Sequence, residues 1–268
     1  MNLRLKSAYC PVRLEHAEQG TGLPVIFLHG YSDSWRSFQS VLRYLPNSLH
    51  AIAVTQRGHG DSEQPTAGFR ASDFASDLAA FMDDLGIGQA VLVGHSLGSQ
   101  IAQRFAIDHP DRTLGLVLIG AYATMRNNAA VQDLWTSTVS MLTDPVDPTF
   151  VASFQLSTLA RPVTAEWLDM MVAESLKVPA YIWRETCAGI LQDDTTDDLG
   201  RIAAETLILW GDKDGLCSRG EQDVLTAGIG RSRLTVYRNG GHGLHWEEPA
   251  RVAADLVAFT QQRTLAAA

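Results

Sequence analysis

The sequence predicts an α/β fold: a mostly parallel, doubly wound sheet with a helical cap inserted between two strands. Three observations lead there. Six short apolar runs recur, rich in Val, Ile and Leu and without polar alternation, as strands buried on both faces of a parallel sheet read. Helical patterns lie between them, and strand-helix alternation builds layered α/β domains. One long break in that rhythm separates two of the strands.

The first runs are Val25–Leu28 and Ala51–Val54. From Ser72 to Leu85, the residues Phe74, Leu78, Phe81, Met82 and Leu85 recur at spacings of three and four, one apolar stripe on a helix. The run Ala90–Val93 leads into a helix over Leu97 to His109, which Pro110 stops. Leu114–Ile119 is the next strand. Between about 121 and 200 no comparable run appears, and Trp135, Met141, Phe154, Trp167, Met170, Met171 and Trp183 stand on mostly helical patterns. The rhythm resumes with Leu207–Trp210, Leu234–Tyr237 and a last helix over Arg251 to Phe259. The break therefore reads as an insertion. An insertion after a strand's carboxyl end sits over the edge where α/β sheets bind ligands, hence a cap. The expected division is a core of 1–120 and 201–265 and a cap of 121–200, with 266–268 read as a cloning scar.

Composition narrows the function. The chain has 268 residues, and at about 150 per domain that suggests roughly one to two domains. With 19% charged residues, 22 Gly and 10 Pro it is neither disordered nor collagen-like. The longest apolar stretch, around Leu114–Ile119, falls far short of the ~20 residues of a membrane span. The first residues lack an apolar run of signal-peptide length. Cys10, Cys187 and Cys217 are odd in number and widely spaced, which argues against a disulfide framework or structural zinc and for a reducing cytoplasm. A net charge of -9 disfavours nucleic acid and anionic membranes as partners. Asp193, Asp194, Asp197 and Asp198 lack the spacing of a calcium loop. The expected partner is a small-molecule substrate, with no metal and no cofactor.

The strongest chemical signal is Gly94-His95-Ser96-Leu97-Gly98, a G-x-S-x-G between a strand and a helix. A sharp strand-to-helix turn lifts a serine hydroxyl clear of the sheet, and the glycines permit the tight backbone. The helix start offers N–H groups and a positive dipole end to a developing oxyanion. Serine needs a base, and the base an orienting carboxylate. Gly211-Asp212-Lys213-Asp214 follows one strand and Asn239-Gly240-Gly241-His242 the next, on the same sheet edge as Ser96. His242 is the favoured base among eight histidines, with His245 as the alternative and a candidate pocket residue. Asp214 is favoured over Asp212.

These motifs, with His29-Gly30, Arg57-Gly58-His59-Gly60-Asp61-Ser62 and Trp246-Glu247-Glu248-Pro249, make nearly the whole chain resemble the α/β-hydrolase superfamily. The likeness is to its cap-bearing branch of esterases, lactonases and cofactor-free perhydrolases. The resemblance implies an oxyanion hole formed by the backbone N–H groups of Leu97 and Tyr31. It also separates subfamilies. Epoxide hydrolases and haloalkane dehalogenases carry Asp where this chain has Ser96. Plant hydroxynitrile lyases of this fold carry Lys where it has Gly243. Candidate pocket walls are Trp35, Tyr122, Trp135, Met141, Phe154, Trp167, Trp183, Leu244 and His245. The expected function is a serine hydrolase acting on a carboxylic ester or lactone of an apolar or aromatic small molecule. The alternatives are a cofactor-free haloperoxidase or perhydrolase, and a slow-turnover signalling receptor.

Overall fold

The computed structural model describes residues 3–9 and 11–266. Of the suggested scar, Ala266 ends the last helix, and 267–268 lie outside the described residues, as does Cys10. The strands are β1 (Arg4–Tyr9), β2 (Arg13–Gln19), β3 (Leu23–Leu28), β4 (Leu49–Val54), β5 (Ala90–His95), β6 (Thr113–Ile119), β7 (Thr206–Gly211) and β8 (Ser232–Tyr237). They form one eight-stranded sheet in the order β1-β2-β4-β3-β5-β6-β7-β8. The pairings from β4 to β8 are parallel; β1 and β2 are antiparallel additions at one edge.

The six apolar runs are the centres of β3 to β8. Their lack of polar alternation has a physical cause. Along β3, Ile26 and Leu28 join one core with Phe81, Ile101 and Phe105. Val25 and Phe27 join a second core with Phe38, Leu42, Leu256 and Phe259. Successive side chains feed opposite faces, and both faces are covered. Each fully buried aliphatic side chain contributes about 1.5–3 kcal/mol.

The edge hairpin escapes the apolar pattern because β1 is mostly exposed, and its Arg4 and Lys6 pair with Glu18 of β2. Charged edge strands resist pairing with other chains.

Among the described residues, the α-helices before β6 are α1 (Gln39–Leu42), α2 (Ala71–Asp84) and α3 (Leu97–Asp108). Between β6 and β7 run α4 (Ala129–Ser137), α5 (Pro148–Ser157), α6 (Ala165–Ser175) and α7 (Ala180–Gln192). The side chains of Asn128, Asp147 and Thr164 accept first-turn N–H groups and so start α4, α5 and α6. The last helices are α8 (Arg219–Gly228), α9 (Leu244–Glu247) and α10 (Pro249–Ala266). Among the described residues, no helix is long and apolar enough to cross a membrane.

Candidate active site

β5 ends at His95 and α3 begins at Leu97, so Ser96 alone makes the turn between them. Its backbone stands at φ 51 and ψ -117, a conformation that costs a non-glycine residue about 1–3 kcal/mol and persists only when its surroundings enforce it. The enforcing contacts are visible. A Cβ on Gly98 would lie 2.1 Å from the Leu28 carbonyl oxygen, and one on Gly94 would lie 2.2 Å from that of Gly98. The Ser96 N–H donates to the Ile119 carbonyl at 3.0 Å. Leu97 is the first residue of α3, where backbone N–H groups have no partner within the helix.

Asp214 lies three residues beyond β7, its N–H donating to the Gly211 carbonyl at 3.0 Å. Its Oδ1 accepts the N–H groups of Leu216 and Cys217, both at 2.8 Å, and its Oδ2 lies 2.9 Å from His242 Nδ1. Burial pushes this carboxyl up, but the facing imidazole and the two N–H groups outweigh it and hold it below the ordinary range. Burial likewise pushes His242 down, and the Asp214 carboxylate more than reverses that. Asp212 serves elsewhere: it accepts the Asn239 N–H at 2.6 Å and ties the two loops together.

The His242 loop is held from the segment between β6 and β7. The N–H groups of His242 and Gly243 donate to the Thr158 carbonyl at 2.9 and 3.0 Å. The Glu247 carboxylate accepts from Gly241 N–H at 2.9 Å, Ala160 N–H at 2.7 Å and Arg161 N–H at 3.2 Å.

Ser96 and His242 line one cavity of about 610 Å³, counted to its open mouth. Its walls are largely apolar: Met125, Val131 and Leu134 around α4, Phe154 of α5 and Ile190 of α7, with Tyr31 and Tyr122. The Tyr31 hydroxyl donates to the Trp183 carbonyl at 2.6 Å, which fixes the residue after Gly30. Gln56 braces the same turn, its N–H donating to His29 Nε2 at 3.0 Å and its Nε2 to the His29 carbonyl at 2.8 Å.

Of the suggested pocket walls, Tyr122 and Phe154 face this cavity. The others do not. Trp35 and Leu244 belong to the core on the opposite face of the sheet. Trp183 is fully buried behind Tyr31 and Phe154, at ring distances of 4.9 and 5.5 Å. Trp135 packs at the margin of the first core, and Trp167 lies edge-on to Trp246. Met141 is 65% exposed. His245 sits behind the cavity, with Nε2 2.8 Å from Ser37 Oγ and its ring 4.2 Å from that of His95. Aromatic residues at helical spacing mark a helix's buried face; they do not tell cavity from core.

Sequence reasoning also missed cavity residues. His95 lines the cavity, its Nε2 donating to the His242 carbonyl at 3.2 Å. Trp246, Thr158, Gln155 and Asp33 line it too. Asp33 is a buried acid whose only sequence signal is its place just beyond His29-Gly30. Among the described residues, two trios bring possible ligand atoms within 4.8 Å of one another: Asp214–Cys217–His242 and Asp33–His95–His245. Burial keeps the Cys217 thiol protonated, so the first trio lacks a thiolate.

A strained serine on a glycine-flanked elbow, with a carboxylate–imidazole pair in loops on the same sheet edge, is the arrangement of one fold family. Residues 24–249 match its family model, described as the alpha/beta hydrolase fold. The chain belongs to the α/β-hydrolase family. An AB hydrolase superfamily protein of Bacillus subtilis, YisY, is 28% identical over 250 residues, covering 90% of this chain and 92% of that one. A non-heme chloroperoxidase of Streptomyces lividans is 26% identical over 260 residues, covering 90% and 92%. An esterase from Exiguobacterium antarcticum superposes with a TM-score of 0.86 over 96% of this chain and 99% of that one. At 24% identity the esterase shows the shared fold alone.

Proposed function

We propose that this α/β-hydrolase is a serine hydrolase that cleaves a carboxylic ester or lactone through an acyl-enzyme, with residues 121–200 as a cap over the site. The observation that carries the reading is the shared cavity of Ser96 and His242, with Asp214 2.9 Å from the far side of the imidazole. Ser96 Oγ attacks the carbonyl carbon as His242 Nε2 takes its proton. The oxyanion rests on the N–H groups of Leu97 and Tyr31. Collapse expels the alcohol, which receives that proton from His242. Water then attacks the acyl-enzyme by the same route and releases the acid and Ser96. Asp214 holds the tautomer and stabilises the imidazolium. The serine at the elbow favours this chemistry over epoxide opening, for which the family uses Asp there.

Hydrolysis of p-nitrophenyl acetate, butyrate and octanoate by the wild type and Ser96→Ala tests the reading. The variant should lose on the order of 10⁶ in kcat. Near-normal turnover by Ser96→Ala would overturn it. A second reading has one supporting observation: relatives named as non-heme chloroperoxidase and haloperoxidase span 90% and 92% of this chain. It has hydrogen peroxide take the acyl group in place of water, and it predicts peracid from acetate and peroxide.

A further inference from the structure

We propose that Asp33 forms a cation subsite in the cavity, and that the ester substrate carries a protonated amine seated on its carboxylate. The substrate part of this inference rests on the esterase reading; the binding part does not. Asp33 lines the same cavity as Ser96 and is 2% exposed. Its hydrogen-bond donors are all neutral: Gln155 Nε2 donates to Oδ1 and Ser37 Oγ to Oδ2, each at 3.0 Å, and the Gly30 backbone N–H also favours the carboxylate. An ionised carboxylate has about four acceptor positions, so these partners leave room for a further donor.

The one imidazole that faces Asp33 as a charge is His242, whose imidazolium favours the ionised carboxylate; once His242 gives up its proton, as it must to act as a base, no cation remains beside Asp33 among the described residues. Burial holds His95 and His245 well below the usual range and therefore neutral, and the Nδ1 of His242 is engaged by Asp214. A carboxylate buried without a counter-charge is strongly unfavourable. An asparagine would satisfy Gln155 and Ser37 without that cost, so packing alone does not explain an acid here. Burial pushes the carboxyl up to about 7, and a bound cation would hold it ionised.

The subsite is also built to keep its shape. Gln155 Nε2 reaches Ser175 Oγ at 2.7 Å, and the Trp246 indole N–H donates to Ser37 Oγ at 3.0 Å. The rings of Tyr31, Tyr122 and Phe154 line the cavity, and aromatic faces attract cations. A chain of net charge -9 raises the local concentration of cationic substrates. A hydroxyl-bearing substrate would need only a neutral acceptor; an acid calls for a cation.

Isothermal titration of n-butylamine and n-butanol at pH 8 tests the subsite without turnover, in wild type, Ser96→Ala and Asp33→Asn. The wild type and Ser96→Ala should bind the amine at least tenfold more tightly than the alcohol, and Asp33→Asn should lose that preference. Equal binding in the wild type overturns the proposal even if Asp33→Asn fails to fold. A preference retained in a folded Asp33→Asn, checked by circular dichroism, overturns it too. Turnover then tests the substrate class: kcat/KM for 2-(dimethylamino)ethyl acetate should exceed that for its neutral isostere 3-methylbutyl acetate about tenfold. Ester hydrolysis without amine preference refutes the subsite alone. Amine preference without hydrolysis of any ester refutes the esterase reading and the substrate class, and leaves the subsite standing.

Discussion

Glu247→Gln should weaken both the fold and the chemistry, although Glu247 touches no reacting atom. The Glu247 carboxylate joins the His242 loop to the segment after α5 through three backbone N–H groups, at 2.7, 2.9 and 3.2 Å. Glutamine keeps one oxygen. Its amide NH₂ must then face either Gly241 or the Ala160–Arg161 pair, donor against donor. A hydrogen bond to a charged group is worth about 1.5–3 kcal/mol, and partial exposure of this site argues for the lower half, about 1.5–2 kcal/mol. For a chain of this size each kcal/mol shifts Tm by about 2–4 °C, so the variant should melt about 3 to 8 °C lower. Gly241 directly precedes His242, and a misplacement of about 1 Å can cost on the order of 10² in rate. Differential scanning calorimetry and p-nitrophenyl butyrate kinetics read the two effects, with kcat falling ten- to a hundredfold, by about that reasoning, and KM little changed. A variant that melts and turns over like the wild type would refute the assigned tie.

Other expectations follow from the same geometry. Ester kcat/KM should rise with pH as His242 loses its proton, with a midpoint above that of an ordinary imidazole because Asp214 outweighs burial. Asp214→Asn should move that midpoint down and lower kcat by about 10⁴; a midpoint that stays put counts against the pairing. Asp33 has its folded pKa raised from 3.8 to about 7. Its contribution to stability is therefore full below about pH 4 and lost as pH rises towards 7, by at most about 4 kcal/mol. Asp33→Asn should thus raise Tm by several degrees at pH 8 and much less at pH 5, and an equal gain at both would contradict the burial argument. Burial pushes the Cys187 thiol up to about 12, so peptide-level mass spectrometry should find it unmodified by iodoacetamide at pH 8 until the protein unfolds.

The central strands and the Ser96 turn could be read from the sequence because each is a local signal: an unbroken apolar run, or two glycines around a serine. The order of Asp214 and His242 on successive loops was equally local. The edge hairpin was not, since Arg4, Lys6 and Glu18 satisfy one another at a rim where an apolar pattern is not needed. α8 carried an overlooked marker, the reciprocal cap between Ser218 and Glu221. The cavity wall was least legible. Asp33 and Gln155 meet across 122 positions of sequence, and no periodicity encodes such a meeting. Tryptophans such as Trp183 and Trp167 looked suited to a pocket, yet bulk of that kind is as useful in packing a helix down as in shaping a cavity.

The two cores on either side of the sheet differ in one respect that bears on how such a protein changes over time. The cavity is cut into one of them, beside Tyr31, Tyr122 and Met125; none of the described residues of the other, from Val25 and Phe27 to Leu256 and Phe259, borders it. Mutational load is therefore unevenly shared. A lineage drifting towards a new substrate can rework the perforated face while the solid one keeps the domain above its folding threshold. In a saturation screen, damage on the α10 side should be indifferent to the substrate offered, and damage on the cavity side should depend on it.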